Sequence, residues 1–313
     1  MTTESESVTG LDPDIEKKWR AAGKLSAKGL RHGASLIKPD VPAEEVADAV
    51  EAYFIKEGGA SAFPACLSVN EVAAHYAPTK GDDLVLKEGD VVKLDVGAHV
   101  DGYIGDNAVT IEVGGTDNWS KLIEASRAAL TVAVSIVGPN VNLSTVGAAI
   151  EQTMDEYGYR PIANLTGHSI ERWNLHAGLS VPAIANTPVQ RPKVGTVMAI
   201  EPFATNGAGH VVNGPNGNIY HYARQRPVRH PDARKVLQEV ARTYPKLPFA
   251  ERWIDSVSPN RLRMALTMLT KNVAIKNYAA LVEAGKGMVA QFEHTVLITQ
   301  DGVDVLTLLD DDD

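Results

Sequence analysis

Val91-Val92-Lys93-Leu94-Asp95-Val96-Gly97-Ala98-His99-Val100-Asp101-Gly102-Tyr103-Ile104-Gly105-Asp106-Asn107-Ala108-Val109-Thr110 is the stretch on which the fold turns. Apolar residues alternate with others on both sides of a Gly-containing turn, the pattern of a β-hairpin with a carboxylate on each arm. A turn centred on Val100-Asp101 makes Asp95 and Asp106 direct cross-strand partners. A type I′ turn at Asp101-Gly102 moves the pairing by two and leaves them diagonal neighbours on one face. In either register two carboxylates meet on apolar flanks. Neither stays ionised there without a compensating charge, and a bound cation is the simplest one.

Outward from the hairpin, the chain divides into recurring units. A helix is predicted from about Asp14 to Leu36, and a second after Pro42, with Val46, Val50 and Phe54 on one stripe. Leu30, Ser35, Pro39, Val41, Val46, Ala49, Glu51 and Gly58 recur as Leu130, Ser135, Pro139, Val141, Val146, Ala149, Glu151 and Gly158, all offset by 100. Gly89-Asp90-Val91-Val92-Lys93-Leu94-Asp95 is echoed by Gly195-Thr196-Val197-Met198-Ala199-Ile200-Glu201. The period is far too long for a solenoid. Two copies of a helix-helix-strand unit predict a pseudo-symmetric α+β domain whose halves each give an acidic strand to a shared centre. From His221 to Lys286 the texture becomes helical and Pro-punctuated, as expected of an inserted helical subdomain. Beyond it, Met288 to Ile298 reads as another strand with an acid, Glu293, in its middle. The expected layout is a flexible tail over 1–10, a catalytic body over 11–220 and 287–309, the insertion over 221–286, and an acidic tail over 310–313.

Composition narrows the chemistry. With 313 residues, 44% hydrophobic and 22% charged, the chain has ordinary globular proportions and enough apolar residues for a sizeable core. No apolar run reaches a membrane span, and Met-Thr-Thr-Glu-Ser-Glu-Ser lacks the basic and apolar regions of a signal peptide, so a cytoplasmic location and no membrane partner are expected. The single cysteine, Cys66, excludes an intrachain disulfide and a zinc-cysteine cluster, and reads as a packed residue rather than a nucleophile. Any metal must then use oxygen and imidazole ligands. The acids are Asp95, Asp106, Glu201 and Glu293; the imidazoles come from Gly167-His168 and Leu175-His176. Four carboxylates with one or two histidines suit two Mn, Fe or Co ions roughly 3.5–4 Å apart, which activate a bridging water and polarise a scissile carbonyl. The predicted chemistry is hydrolysis.

At these residues the chain resembles the methionine aminopeptidases, specifically the type II, archaeal-like branch of the pita-bread metallopeptidases. The segments that carry the resemblance include Ala62-Phe63-Pro64, Asn70-Glu71-Val72-Ala73-Ala74-His75, Leu94-Asp95-Val96-Gly97, Asp106-Asn107-Ala108, Gly167-His168, Leu175-His176-Ala177-Gly178, Ile200-Glu201-Pro202-Phe203, Leu247-Pro248-Phe249-Ala250-Glu251-Arg252-Trp253 and Gln291-Phe292-Glu293-His294-Thr295. It extends over roughly residues 12 to 305, and the helical block before Glu293 is what marks type II. The resemblance implies five metal ligands, Asp95, Asp106, His168, Glu201 and Glu293, with Asp106 and Glu293 bridging both ions. It implies that Glu201 also shuttles the proton of the metal-held water. His75 and His176 would contact the substrate amide and the tetrahedral intermediate, and Phe63 and Leu175 would wall the methionine pocket. The implied substrate is the N-terminal Met of nascent chains when the next residue is small, acted on by a monomer. Xaa-Pro peptidases share the fold, and a catalytically inactive binding protein on it would be expected to have lost ligands; here the set is intact.

Charge adds one partner to consider. The net charge is -9, yet residues 221–286 carry thirteen Lys and Arg against five Asp and Glu. Arg224, Arg226, Arg229, Arg234 and Lys235 crowd the entry, with Arg261, Arg263, Lys271 and Lys276 beyond. Such a surface either offsets the acidic body or makes transient contact with ribosomal RNA where nascent chains emerge.

Overall fold

The computed structural model describes residues 8–185, 189–214 and 217–309. The hairpin pairs Val91–Val100 with Tyr103–Glu112, and its register sets Val100 opposite Tyr103, Gly97 opposite Asp106 and Asp95 opposite Ala108. The two acids are therefore diagonal neighbours. Asp101 and Gly102 have φ of 51° and 82°. A type I′ turn demands positive φ at both central residues, which Asp and Gly accept and a β-branched Val100 does not. On the other side of Val91–Val100 lies Ala60–Val69, its register shifted between Ser61 and Cys66, so that Cys66 faces Asp95. Pro64 sits in that irregular stretch, where its missing N–H takes no hydrogen bond from the ladder.

Helices cover each half. α1 (Pro13–Leu36) and α2 (Ala43–Lys56) pack on the hairpin side, and α3 (Ser120–Ile136) and α4 (Leu143–Glu156) on the other. Asp12 caps α1 by accepting from Asp14 N at 2.9 Å, with Pro13 opening the first turn. The repeat is visible in the backbone. Asp40 and Asn140 sit at φ 66° and 64° in the two helix-helix links, Gly58 and Gly158 at 85° and 80°, and Gly89 and Gly195 at 82° and 85°. Asp40 N donates to Leu86 O at 2.8 Å and Asn140 N to Pro192 O at 2.9 Å, the same bond in each half. The fold is pseudo-two-fold α+β, as expected.

The second half contributes a five-stranded antiparallel sheet in the order Val303–Val305, His294–Ile298, Val197–Ile200, Thr166–Ile170, Ser180–Pro182. Here the structure corrects one expectation: Glu293 is not in mid-strand, and Glu201 too lies just outside a strand. Val197–Ile200 stops at Glu201 because Pro202 has no N–H to continue the ladder. Glu293 falls in the break between Val289–Gln291 and His294–Ile298, where it forms an isolated bridge to Ala108. The bridge joins the two halves at the centre.

Within 221–286, α5 (Pro231–Thr243) and α6 (Pro259–Lys271) pack together around Val236, Val240, Leu266 and Leu269, each helix opened by a proline. The segment is not purely helical. Ile219–Tyr222, Phe249–Ala250 and Ile275–Tyr278 form a small sheet, and Leu281–Glu283 pairs with Val211–Asn213 and Val72–Ala74 of the body. The buried Arg252 side chain ties this segment to α2 through Asp48 at 3.1 Å and through Glu51, which also accepts from Trp253 Nε1 at 2.7 Å. Residues 8–10, expected within a flexible tail, are held instead: Val8 O accepts from Gln300 N at 3.0 Å and the Thr9 hydroxyl donates to Glu16 at 2.5 Å. Residues 1–7 and the tail 310–313 lie outside the described residues. Among the described residues, no helix is long and apolar enough to cross a membrane.

Candidate active site

Asp106 is fixed before any ligand arrives. Its N–H donates to Thr295 Oγ1 at 2.8 Å and its carbonyl accepts from the same hydroxyl at 2.7 Å. Thr110 and Gln291 repeat the arrangement: Gln291 N donates to Thr110 Oγ1 at 2.7 Å and the hydroxyl donates to Gln291 O at 2.7 Å. These two threonine clamps flank the Ala108–Glu293 bridge and lock the hairpin onto the strands around Glu293. From behind, Gly105 lies so close to α1 that a Cβ there would meet Ala22 O at 2.6 Å, and Ser26 donates to Asn107 Oδ1 at 2.7 Å. A rigid frame thus surrounds the carboxylate.

The nine residues singled out from the sequence all line one cavity between the halves. His168 Nε2 lies 3.7 Å from Asp106 Oδ2 and 3.6 Å from Glu201 Oε1. Donor atoms of Asp106, His168 and Glu293 all fall within 4.8 Å of one another. Those gaps are too wide for hydrogen bonds, yet suit donors that each sit about 2.0–2.2 Å from a shared ion. Gln291 Nε2 spans Asp95 Oδ2 at 3.3 Å and Glu293 Oε2 at 3.2 Å, tying the two acids' orientations together.

Electrostatics makes the same point. Burial, reinforced by mutual repulsion, pushes Asp106, Glu201 and Glu293 well above the carboxylate range, and burial raises Asp95 to about 7. Burial, with the neighbouring His176 ring, lowers His168 to about 3, leaving a neutral imidazole with a lone pair to give. Asp95 Oδ1, Asp106 Oδ1 and Glu293 Oε1 are buried without hydrogen-bond partners. Unpartnered acceptors clustered among repelling acids fit a bound cation. The donor set is all oxygen and imidazole, which fits divalent Mn, Fe or Co. Cys66 also faces the cavity, but burial pushes its thiol up and it donates to Pro64 O at 3.3 Å, so it is no thiolate ligand or nucleophile.

Around this acidic floor stand the remaining groups. His75, at φ 65°, packs edge-on to Tyr278 with centroids 5.6 Å apart, and burial lowers it to about 4. The His176 ring lies 4.3 Å from that of His168 and reaches solvent at the cavity mouth. Phe63 is pressed over Gly97, the residue opposite Asp106, and with Leu175 makes an apolar wall. Sequence reasoning missed Gln291, Thr110 and Thr295, which sit in strands where Thr reads simply as a β-former. It also gave no site role to Ile219, Pro248 and Tyr278, which the 219–278 region contributes to the cavity.

Comparison with known proteins agrees with this geometry. The family model of metallopeptidase family M24 matches residues 17–300. The chain is 46% identical over 290 residues to a methionine aminopeptidase of Thermococcus onnurineus, covering 91% of this chain and 97% of that one. It is 44% identical over 286 residues to one of Methanocaldococcus jannaschii, covering 91% and 96%. Among solved structures, a methionine aminopeptidase from Thermotoga maritima superposes with a TM-score of 0.70 at 26% identity, covering 96% and 98%. A thermophilic Arx1 gives 0.84 at 16% identity, covering 95% and 91%, and a prolidase from Pyrococcus furiosus 0.61 at 18%, covering 96% and 65%; at such identities they share the fold alone. The chain therefore belongs to metallopeptidase family M24, among its methionine aminopeptidases.

Proposed function

We propose that this chain removes the N-terminal methionine from polypeptides whose second residue is small, using two divalent ions. The observation that carries the reading is the convergence of Asp95, Asp106, His168, Glu201 and Glu293 on one buried gap with orphaned donor atoms, beside an apolar wall. These five residues would hold the ions, with Co, Mn or Fe as the metals. When bound, the ions act as Lewis acids that polarise the scissile carbonyl and make water a nucleophile at neutral pH.

The chain's own groups do the rest. Glu201 accepts the proton of the attacking water and returns it to the leaving amine, a task for a carboxylate within hydrogen-bond reach. His75 and His176, kept neutral by their surroundings, donate N–H bonds to the substrate amide and to the oxygen where charge develops. Phe63 and Leu175 receive the flexible thioether side chain. The donor set is complete, which argues against an inactive binding protein on this fold, and an Xaa-Pro peptidase is separated by substrate. With the metal content of the purified protein measured in parallel, Met-Ala-Ser should be cleaved and an Xaa-Pro dipeptide should not; the opposite preference refutes the assignment.

The setting is part of the proposal. The chain acts as a cytoplasmic monomer, with residues 11–220 and 287–309 as catalytic body and 221–286 as an insertion that lends Tyr278 and Pro248 to the cavity. Exposed Arg224, Arg229, Arg234, Lys235, Arg261, Arg263, Lys271 and Lys276 support transient docking on ribosomal RNA.

A further inference from the structure

Leu175 and His176 enter the cavity from the loop between Thr166–Ile170 and Ser180–Pro182. One residue of that loop is in a conformation that needs support. Trp173 has φ 62°, a left-handed backbone that costs a bulky L residue on the order of 1–3 kcal/mol. What holds it is the tip of the hairpin that carries Asp95 and Asp106. Trp173 N donates to Gly102 O at 2.8 Å, and the indole covers Gly102 so closely that a Cβ there would fall among the ring atoms. The His99 ring lies 4.8 Å away, centroid to centroid, and Lys246 Nζ stands 5.7 Å from the ring centroid. Beside it, Arg172 Nε donates to Asp101 O at 2.8 Å and its guanidinium reaches Asp101 Oδ1 at 2.6 Å. Glu171 and Asn174 close the turn with mutual backbone bonds of 2.9 and 3.0 Å.

Four consecutive residues are thus committed to a latch immediately before the two that face the substrate. We propose that Trp173 is a positioning residue: seated on the hairpin tip, it sets where Leu175 and His176 stand relative to the carboxylates farther down the same hairpin. One rigid ribbon then references both the acidic floor and the loop above it. The competing explanation is that Trp173 only adds to the apolar cluster containing Phe63, Tyr103 and Leu247, against which it packs. That explanation gives the strained backbone no role.

The test uses the full-length, metal-loaded chain. Trp173→Gly removes the ring while suiting positive φ, and Trp173→Tyr keeps an aromatic ring. In Trp173→Gly, amide exchange across residues 171–178 should accelerate by about tenfold or more while the hairpin interior and metal stoichiometry stay as in the parent. Its kcat on Met-Ala-Ser should fall by roughly 10- to 100-fold, the scale of a misplaced group, with Trp173→Tyr recovering most of it. In a background carrying both Leu175→Ala and His176→Ala the same substitution should cost less than about threefold more, since its effect runs through those two side chains. Unchanged exchange in the loop, or an equal kcat loss with and without those two side chains, overturns the proposal. The kinetic arm rests on the aminopeptidase reading, but the exchange arm does not. A parent inactive on the peptide whose loop still loosens in Trp173→Gly keeps the latch and refutes the peptidase.

Discussion

Chelating the divalent ions should leave a folded chain that loses stability, relative to the metal-loaded chain, as pH rises from 6.5 to 8. Asp95 sits near 7, and Asp106, Glu201 and Glu293 are held well above the carboxylate range, all raised chiefly by burial. An acid with a raised folded pKa is protonated in the fold after the unfolded chain has released its proton. Stability therefore falls once pH passes the unfolded value near 4, and keeps falling up to the folded one. His75, near 4, and His168, near 3, are lowered from 6.5. They oppose the trend below pH 6.5, where the unfolded histidines charge, and are silent above it. Buried Lys93, held well below the lysine range by burial, opposes the acids across the same window, so the comparison with the metal-loaded chain is what isolates them. Each proton that an acid retains is worth about 1.36 kcal/mol per pH unit. For a chain of 313 residues, an unfolding entropy of about 2.1 cal/mol/K per residue converts that to on the order of 2 °C per retained proton and pH unit. Thermal unfolding followed by circular dichroism, in chelator and then with Mn or Co restored, measures it. Metal should abolish the fall by neutralising the cluster, and Asp106→Asn in chelator at pH 8 should melt above the chelated parent. A metal-free melting temperature that does not fall relative to that of the metal-loaded chain across this window would falsify the account of four crowded acids.

Further expectations concern chemistry and docking. Asp106→Ala should reduce hydrolysis by at least about 10³-fold, roughly 4 kcal/mol of barrier, with loss of bound metal; near-normal turnover by the purified variant would sink the bridging role. His75→Ala and His176→Ala should lower kcat while leaving metal content intact, and metal loss in either would make that histidine a ligand. Cleavage should be confined to Met before small residues such as Ala, Gly, Ser or Thr, with the chain's own Met1-Thr2 a candidate; efficient removal of Met before Leu or Arg would contradict the proposed selectivity. Changing Arg224, Arg226 and Arg229 to Glu should abolish salt-sensitive cosedimentation with ribosomes and spare peptide hydrolysis. If the triple variant binds like the parent, the docking surface is misplaced.

Much of this protein was written locally. Alternation around Asp101-Gly102 specified the hairpin, Pro42 marked a helix start, and the repeat at an offset of 100 foretold two similar halves, because periodicity, capping and turn chemistry act over a few residues. The candidate acids were legible too, since an acid beside apolar strand residues violates the local pattern. What the sequence left open was anything that depends on two distant segments meeting. The hairpin's register was settled by backbone strain at its turn. The breaks that free Glu201 and Glu293 were settled by Pro202 and by the Ala108 bridge. Thr110, Thr295 and Gln291 look like ordinary strand residues until 181 to 196 positions of chain separation close into hydrogen bonds. Trp173 carries no signal in the sequence and gains its place only when the hairpin tip arrives beneath it. A pattern of residue types can name which groups carry charge; only the packed tertiary structure fixes the ångström-scale distances that decide whether those groups repel, bind an ion, or hold a substrate.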